Sequence, residues 1–141
     1  MLVRAASEEM RQVDLTRNTL TKHEKLCSHI RIGELFEKGS SFFVYPFRIK
    51  YLPNSEAGCH SILFSVPKRR FKRSVDRHLL ARRMREAYRL NKKELYYEDG
   101  QNNEFFSIAI MYSGNDKLAF EVIEDKLISC LRRLKDLSKI K

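Results

Sequence analysis

The spacing of apolar positions changes several times along the chain, and each change predicts a new element. Apolar side chains at helical spacing predict a helix over residues 22–38, with Gly39 at its end. Aromatic and β-branched residues predict strands over 42–52 and 60–66, the first with an edge or a bulge at Pro46. Because only a short turn separates these two strands, we expect them to pair antiparallel.

The second half of the chain predicts a helix, a strand and a further helix. Ser74 or Asp76 can cap a helix that runs to about Leu95, since good helix formers stand at nearly every position. The apolar run 105–112 is typical of a strand covered on both faces, which would place it centrally in the sheet. From Leu118 onward, apolar residues at helical spacing predict a long terminal helix. This order predicts an α+β fold, with helices on one face of a small sheet.

The length of 141 residues fits one domain with its own core. Residues 1–18 are polar and poor in aromatics, so we expect a weakly ordered extension followed by a folded domain over 19–141. Nine Phe and six Tyr exclude a disordered polybasic tail, because these side chains need burial or stacking. No secretory signal or membrane-spanning run is visible in the sequence, which favours a cytoplasmic protein.

The cysteines and histidines are candidates for a metal site, although their pattern is a weak signal for one. Three cysteines, an odd number, fit reduced thiols buried as small apolar groups. Cys27 with His29 and Cys59 with His60 could together form a zinc site. Their irregular spacing and apolar neighbours favour buried thiols and surface histidines instead. We therefore expect no metal site in the protein itself.

The excess positive charge of the chain is concentrated in residues 68–89. This segment holds ten Lys or Arg residues against Asp76 and Glu86, a local balance of +8, whereas the whole chain carries +10. A solvated helix face would normally interleave acids with such bases, because like charges one turn apart repel each other. The arrangement therefore predicts a surface that binds a polyanion.

A helical wheel divides this basic segment into a charged arc and an apolar arc that we expect to pack on the sheet. A helix that reads bases in a DNA groove would normally carry Asn, Gln, Ser or Thr, and these residues are absent between Arg77 and Arg89. Structured RNA is therefore the favoured ligand. Arg83 is the only charge in the apolar sector. The charged arc contains Arg77, His78, Arg82, Arg85 and Arg89. The apolar arc contains Leu79, Leu80, Met84, Ala87 and Leu90.

Two stretches around the basic segment match a known pattern in register. Residues 64–69, FSVPKR, are similar to an F-S-V-S-K-K segment, and Arg77, Arg82, Arg85 and Glu86 fit the signature R-N-x-x-K-R-x-x-R-E. With these features the chain resembles the protein subunit of bacterial ribonuclease P.

The resemblance extends upstream, and it has three departures. Residues 35–39, LFEKG, are similar to the family's V-F-K-x-G segment, and Ile32 occupies the place of an earlier Phe. His78 stands where the family usually has Asn, Ala81 where it has Lys, and Pro67 where it has Ser. The resemblance covers about residues 20–137.

The resemblance implies a fold and a function. The fold is a two-layer α/β sandwich like the second domain of a ribosomal small-subunit protein, with a small, mostly antiparallel sheet. Its βαβ crossover would be left-handed, against the usual preference. The catalytic centre would lie in an RNA subunit that removes the 5′ leader of precursor tRNA with bound divalent metal (Mg). The expected partners are this catalytic RNA and precursor tRNA.

The resemblance also implies two binding surfaces. The catalytic RNA would contact a basic loop and helix through Lys68, Arg69, Lys72, Arg73, Arg77, His78, Arg82, Arg85 and Arg89. A cleft between the first helix and the sheet would hold the single-stranded leader, and our candidates for it are Ile32, Phe36, Phe42, Phe47 and Ser65. For Phe47, packing in the core is an equally good alternative.

Two other functions stay open on the sequence alone. A ribosomal-type or chaperone-like RNA-binding protein would use the same fold and the same charge. A self-contained nuclease would need its own acid, base or metal cluster.

Overall fold

The computed structural model describes residues 24–54, 59–95 and 105–137, so the predicted extension over 1–18 lies outside the described residues. A short 3₁₀ turn, Lys92–Glu94, follows the second helix. The helices of the described part are α1 (His29–Lys38), α2 (Ser74–Asn91) and α3 (Phe120–Leu137). Its strands are β1 (Ser40–Val44), β2 (Phe47–Pro53), β3 (Ser61–Ser65) and β4 (Phe106–Tyr112).

The four strands form one mixed sheet in the order β1-β2-β4-β3. β2 pairs antiparallel with both β1 and β4, while β3 and β4 are parallel and connected through α2. The α+β fold, the mostly antiparallel sheet and the central position of the apolar strand are therefore confirmed. The βαβ connection is present, and its left-handed sense stays a prediction.

The expected pairing of the two early strands is wrong. β3 is parallel to β4 and does not lie next to β2. One edge of β2 is occupied by β1, and its other edge pairs with β4 along its whole length, from Phe47 with Tyr112 to Pro53 with Phe106. Because β4 is the most apolar strand, it takes the position that is covered on both sides.

The expected single strand over 42–52 is a hairpin. β1 and β2 are joined by a turn at Tyr45 and Pro46, which are linked by a cis peptide bond. Proline has no N–H to donate to a sheet ladder, so it suits the turn better than a strand interior. The Pro46 carbonyl accepts a hydrogen bond from the Ser113 N–H at 2.6 Å, which ties the turn to the end of β4.

The first helix begins later than its apolar spacing predicts. Residues before it run beside β3, where Lys25 forms a parallel bridge with Ile62 and the Leu26 N–H donates to the Ile62 carbonyl at 3.0 Å. α1 starts after Ser28, whose hydroxyl accepts from the Arg31 N–H at 3.4 Å. The predicted end at Gly39 is confirmed, since its N–H donates to the Leu35 carbonyl at 2.8 Å.

The sheet has two differently covered faces. Alternate residues of a strand point to opposite faces, so Phe106, Ile108 and Ile110 lie on one face of β4 and Ala109 lies on the other. α2 and α3 pack over the first face and complete the main core with Leu80, Met84, Tyr88, Ile123, Leu127, Cys130, Leu131 and Leu134. α1 crosses the second face, where its residues Ile32 and Leu35 pack with Leu26, Leu52, Leu63 and Ala109. Part of the second face is left open.

Candidate RNA interface

The basic loop between β3 and α2 is held by a buried aromatic ring. Phe71 is 7% exposed and its ring lies 5.7 Å from that of Tyr112 in the core. The Pro67 carbonyl accepts from the N–H groups of Arg70 and Phe71, which forms a tight turn. The loop presents four exposed cations to solvent, namely Lys68, Arg69, Lys72 and Arg73.

Arg77 connects this loop to the first turn of α2. Its guanidinium donates to the carbonyls of Phe71 and Lys72, both at 2.9 Å. The predicted cap at Ser74 or Asp76 is wrong, because Arg73 is the N-cap residue and makes no side-chain cap bond. Arg77 is half-buried, so this predicted RNA contact has a structural role in positioning the loop cations.

The charged arc of α2 has an exposed part and a paired part. His78, Arg82 and Arg85 are exposed. Arg89 is half-buried and bonds through two nitrogens to the carboxylate of Glu86. These hydrogen bonds lower the pKa of Glu86 and raise the pKa of Arg89. The exposed basic side chains of α2 therefore lie within its first twelve residues.

The buried arc of α2 differs slightly from the predicted apolar arc. Leu79 is 36% exposed, whereas Tyr88 is fully buried with its ring 5.9 Å from that of Phe64. Burial of Tyr88 was not predicted. Arg83, the one charge in the apolar sector, donates to the Leu118 carbonyl at 2.6 Å and so links α2 to the segment before α3.

Three of the five predicted cleft residues lie on the face that α1 partly covers. Ile32 packs against the small apolar cluster under α1, and Phe36 is 40% exposed. Ser65 is half-buried on this face, at the end of β3 and paired with Met111. Because β3 leads directly into the basic loop, this end of the cleft adjoins the exposed loop cations.

Phe42 and Phe47 lie on the opposite face, so their assignment to the cleft is wrong. Phe47 is fully buried, with its ring 6.0 Å from that of Tyr112. Phe42 packs against the same core, and the Arg133 guanidinium lies 4.4 Å from its ring centre. Strand alternation makes this unavoidable, since residues that share the face of Ile49 cannot reach α1.

The same alternation places three unpredicted residues on the cleft face. The Lys50 ammonium donates to the Phe36 carbonyl at 2.6 Å and lies 5.4 Å from the centre of its ring. The Arg48 guanidinium lies 6.0 Å from the ring centre of Phe43, which is 51% exposed. Cations beside exposed aromatic rings suit an unpaired nucleic-acid strand. Its bases can stack on the rings while the cations contact its phosphates.

The cysteines and histidines do not form a metal centre in the described part of the chain, where no group of three or more His, Cys, Asp or Glu side chains has metal-binding geometry. Burial raises the pKa of Cys59 to about 11 and that of Cys130 to about 12. Contrary to expectation, Cys27 is exposed and His60 is buried.

His60 has a structural role in the sheet. Its Nδ1 accepts a hydrogen bond from the Phe106 N–H at 3.0 Å, at the start of β4. Burial lowers the pKa of His60 to about 3, because the charged imidazolium would lose its hydration.

A family model described as Ribonuclease P matches residues 20–135 of the chain. The chain belongs to the ribonuclease P protein family. It is 37% identical to a ribonuclease P protein component from Porphyromonas gingivalis over 117 residues, which are 82% of this chain and 85% of the relative. A ribonuclease P protein component from Chlorobium phaeobacteroides is 28% identical over 130 residues, or 84% of this chain and 89% of the relative.

Solved ribonuclease P proteins have the same fold. A Staphylococcus aureus ribonuclease P protein superposes with a TM-score of 0.64 at 15% identity, over 82% of this chain and 98% of that chain. A Thermotoga maritima ribonuclease P protein gives a TM-score of 0.63 at 21% identity, over 78% and 96%. The recognised resemblance is thus confirmed in both sequence and fold.

The chain is accordingly the protein subunit of ribonuclease P, the endoribonuclease of tRNA 5′ maturation. Its partner is the ribonuclease P RNA subunit. No helix in the described ranges has the length and apolar character needed to cross a membrane.

Proposed function

We propose that this ribonuclease P protein binds two RNAs on adjoining surfaces. The basic surface consists of the exposed loop and α2 cations and binds the catalytic RNA. The leader cleft consists of the open sheet face beside α1 and binds the single-stranded 5′ leader of precursor tRNA. The observation that carries this proposal is the continuity of the two surfaces at Ser65, where β3 leads into the basic loop.

The basic surface suits a folded RNA backbone. Its exposed cations are Lys68, Arg69, Lys72, Arg73, Arg82 and Arg85, and the exposed His78 lies among them. Arginine forks can hold phosphates through two hydrogen bonds, and amide side chains for reading bases are absent between Arg77 and Arg89. Arg77 contributes by holding the loop in place through its hydrogen bonds to the backbone. Arg89 forms an ion pair with Glu86 at the end of the charged arc.

The leader cleft suits an unpaired strand. Phe36 and Phe43 are half-exposed rings on one side of the sheet, and Lys50 and Arg48 lie between them on β2. Bases can stack on the rings while the cations face the backbone, an arrangement that tolerates many sequences.

The chemistry of cleavage is proposed to belong to the RNA subunit and its divalent metal (Mg), in the cytoplasm. The protein would supply positive charge where two polyanions meet. This lowers the concentration of free divalent cations that is needed to hold both RNAs together.

The cleft assignment is tested by Lys50→Met in the reconstituted holoenzyme. The change removes one cation and its contact with Phe36, so affinity for precursor tRNA should fall by about fivefold to tenfold. Affinity for mature tRNA, which lacks the leader, should be unchanged. The matched control is Lys38→Met, an exposed lysine in the last turn of α1.

Equal losses for precursor and mature tRNA, or equal effects of the two variants, would contradict the leader assignment. The rate of cleavage at saturating substrate should be nearly unchanged in both variants, because neither residue is proposed to act on the scissile bond.

A further inference from the structure

One row of side chains crosses the second sheet face from β3 to β1. Met111 of β4 pairs with Ser65 of β3 on one side and with Arg48 of β2 on the other. Arg48 in turn pairs with Phe43 of β1. Because directly paired residues of neighbouring strands point to the same face, these four side chains form a continuous row, which we call the sheet-end row.

The sheet-end row lies beyond the apolar contacts of α1. The apolar cluster under this helix contains Leu63 and Ala109, which pair with each other in the next row of the sheet. In the sheet-end row itself, Phe43 and Arg48 are exposed and Met111 is half-buried. An extended ligand can therefore lie across the four strands at this end of the sheet.

The row ends at two exposed aromatic rings. Phe43 and Tyr45 are each 51% exposed, and their ring centres lie 6.4 Å apart in an edge-to-face arrangement. The Arg48 guanidinium beside Phe43 places a positive charge at these rings. Large apolar side chains that adjoin each other on a protein surface commonly mark a binding site.

Tyr45 is held by the turn between β1 and β2. The Pro46 carbonyl of this turn accepts the hydrogen bond from Ser113. A Cβ at the buried Gly114 would lie 3.3 Å from the Tyr45 hydroxyl oxygen, so the phenol packs against this glycine. The ring is thus positioned before any ligand arrives, which reduces the entropy that binding costs.

We propose that Phe43 and Tyr45 form an outer platform on which upstream bases of the 5′ leader stack. The inference rests on the proposed function, because the leader would enter the sheet-end row at Ser65, beside the basic loop. It would then pass Met111 and reach the rings, with Arg48 facing its phosphates. Through this platform the protein favours precursor tRNAs with long leaders.

The width of the sheet sets the leader length that reaches the platform. Neighbouring strands lie about 4.8 Å apart, so Phe43 lies about 14 Å from Ser65 across the sheet. Stacked nucleotides rise about 3.4 Å each, so a stacked leader needs roughly four nucleotides to span this distance. A single-nucleotide leader cannot reach the rings.

The charge of the row favours an RNA strand over a second copy of the protein. None of its residues is acidic, and Lys50 lies on the same face as Arg48. A second copy would bring a further net charge of +10 towards these cations, whereas a leader brings phosphates. Stacking uses only the faces of the bases, so the platform tolerates any leader sequence.

The test compares two precursors of the same tRNA, one with a single-nucleotide leader and one with a leader of about eight nucleotides. In the reconstituted holoenzyme, Tyr45→Leu should weaken binding of the long-leader precursor by about fivefold to twentyfold, because leucine is apolar but offers no ring. Binding of the short-leader precursor should be unchanged. Tyr45→Phe keeps the ring and should bind both precursors normally, as should the control Val122→Ala at an exposed site on α3.

Phe43→Leu provides a second variant with the same expected dependence on leader length. Equal losses for the two precursors, an unchanged affinity for the long leader, or equal losses in Tyr45→Phe and Tyr45→Leu would each overturn the platform. Weaker binding of the catalytic RNA alone in Tyr45→Leu would assign the rings to that RNA, and a dimer lost in this variant would assign them to a second copy. Thermal unfolding checks that each variant is folded.

The unaltered holoenzyme separates this inference from the proposed function. If it binds the long-leader precursor more tightly than mature tRNA but Tyr45→Leu and Phe43→Leu have no effect, the outer platform alone is refuted. If it binds precursor and mature tRNA equally, the proposed leader cleft itself fails.

Discussion

Charged residues of the basic segment have two different tasks. Lys68, Arg82 and Arg85 point into solvent, whereas Arg77 and Arg83 donate to backbone carbonyls inside the molecule. The helical wheel separated Arg83 from the charged arc but placed Arg77 within it, because a wheel gives direction and not the neighbours at the helix ends. The surface that we propose for RNA binding is therefore smaller than the charge count of the segment suggests.

Removal of any one exposed arginine should weaken binding of the catalytic RNA by a similar amount, because each substitution removes one electrostatic contact with a phosphate. With about five phosphate contacts, the unaltered protein should show a log–log salt dependence with a slope of roughly −3 to −4. Arg82→Ala and Arg85→Ala should each bring the slope closer to zero by about 1. Filter binding over a salt series measures this, with Lys126→Ala on α3 as the control.

A slope unchanged in Arg82→Ala and Arg85→Ala, or changed equally in Lys126→Ala, would show that the exposed arc of α2 is not the RNA contact.

His60 should make stability depend on pH. The folded protein keeps this imidazole neutral down to about pH 3, whereas the unfolded chain takes up a proton near pH 6.5. The unfolded state binds more protons in this interval, so the free energy of unfolding decreases as the pH falls from 6.5 towards 3. One proton contributes at most about 1.4 kcal/mol per pH unit.

Denaturant unfolding between pH 6.5 and 5 checks this dependence. His60→Gln keeps an acceptor for the Phe106 N–H and should flatten the slope, while His78→Gln, at an exposed site, should not. Parallel pH profiles for the unaltered protein and His60→Gln would contradict the assignment.

At the scale of elements, the sequence pattern predicted those features that depend on residues close together in the chain. The apolar run of β4 fixed its central position, and Gly39 marked the end of α1. The start of α1 could not be predicted, because the residues before it are held beside β3 by a long-range backbone bond from Leu26 to Ile62. The pairing of β3 could not be predicted for the same reason, because its partner β4 is distant in sequence.

The leader cleft shows how one turn changes a predicted site. Read as one strand, residues 42–52 gave no fixed alternation across Pro46, and the resemblance made Phe42 and Phe47 candidates for the cleft. The hairpin pairs Phe42 with Ile49 and Phe43 with Arg48, so the exposed ring belongs to Phe43. Strict alternation backward from the buried pair Phe47 and Ile49 would have predicted Arg48 and Lys50 on the cleft face.

Two glycines at α1 should respond oppositely to alanine. A Cβ at Gly39 would lie 2.3 Å from the Leu35 carbonyl oxygen and 3.1 Å from that of Tyr51, so Gly39→Ala should destabilise by about 1–3 kcal/mol. A Cβ at Gly33 meets nothing within 4 Å, and Gly33→Ala should stabilise by about 0.5–1 kcal/mol through helix propensity.

Thermal and denaturant unfolding of both glycine variants measure these changes. A stabilised Gly39→Ala protein would mean that the junction of α1 and β1 is looser than described, since backbone oxygens on two sides leave a methyl group no room.

At the scale of the whole molecule, the fold separates stability from binding. α2 and α3 bury the main core on one sheet face, which leaves the other face free for the leader cleft beside α1. A buried ion pair of Lys92 with Glu24, at 3.0 Å, joins the end of the basic helix to the segment before α1. The two proposed binding surfaces are thus carried on one rigid frame.

The central claim is that the protein assists an RNA catalyst. Cleavage of precursor tRNA by the catalytic RNA, measured at low magnesium with and without the protein, tests it most directly. The account predicts that the protein raises the cleavage rate strongly and shows no cleavage when added alone. An unchanged rate with the protein present, or cleavage by the purified protein without RNA, would contradict it.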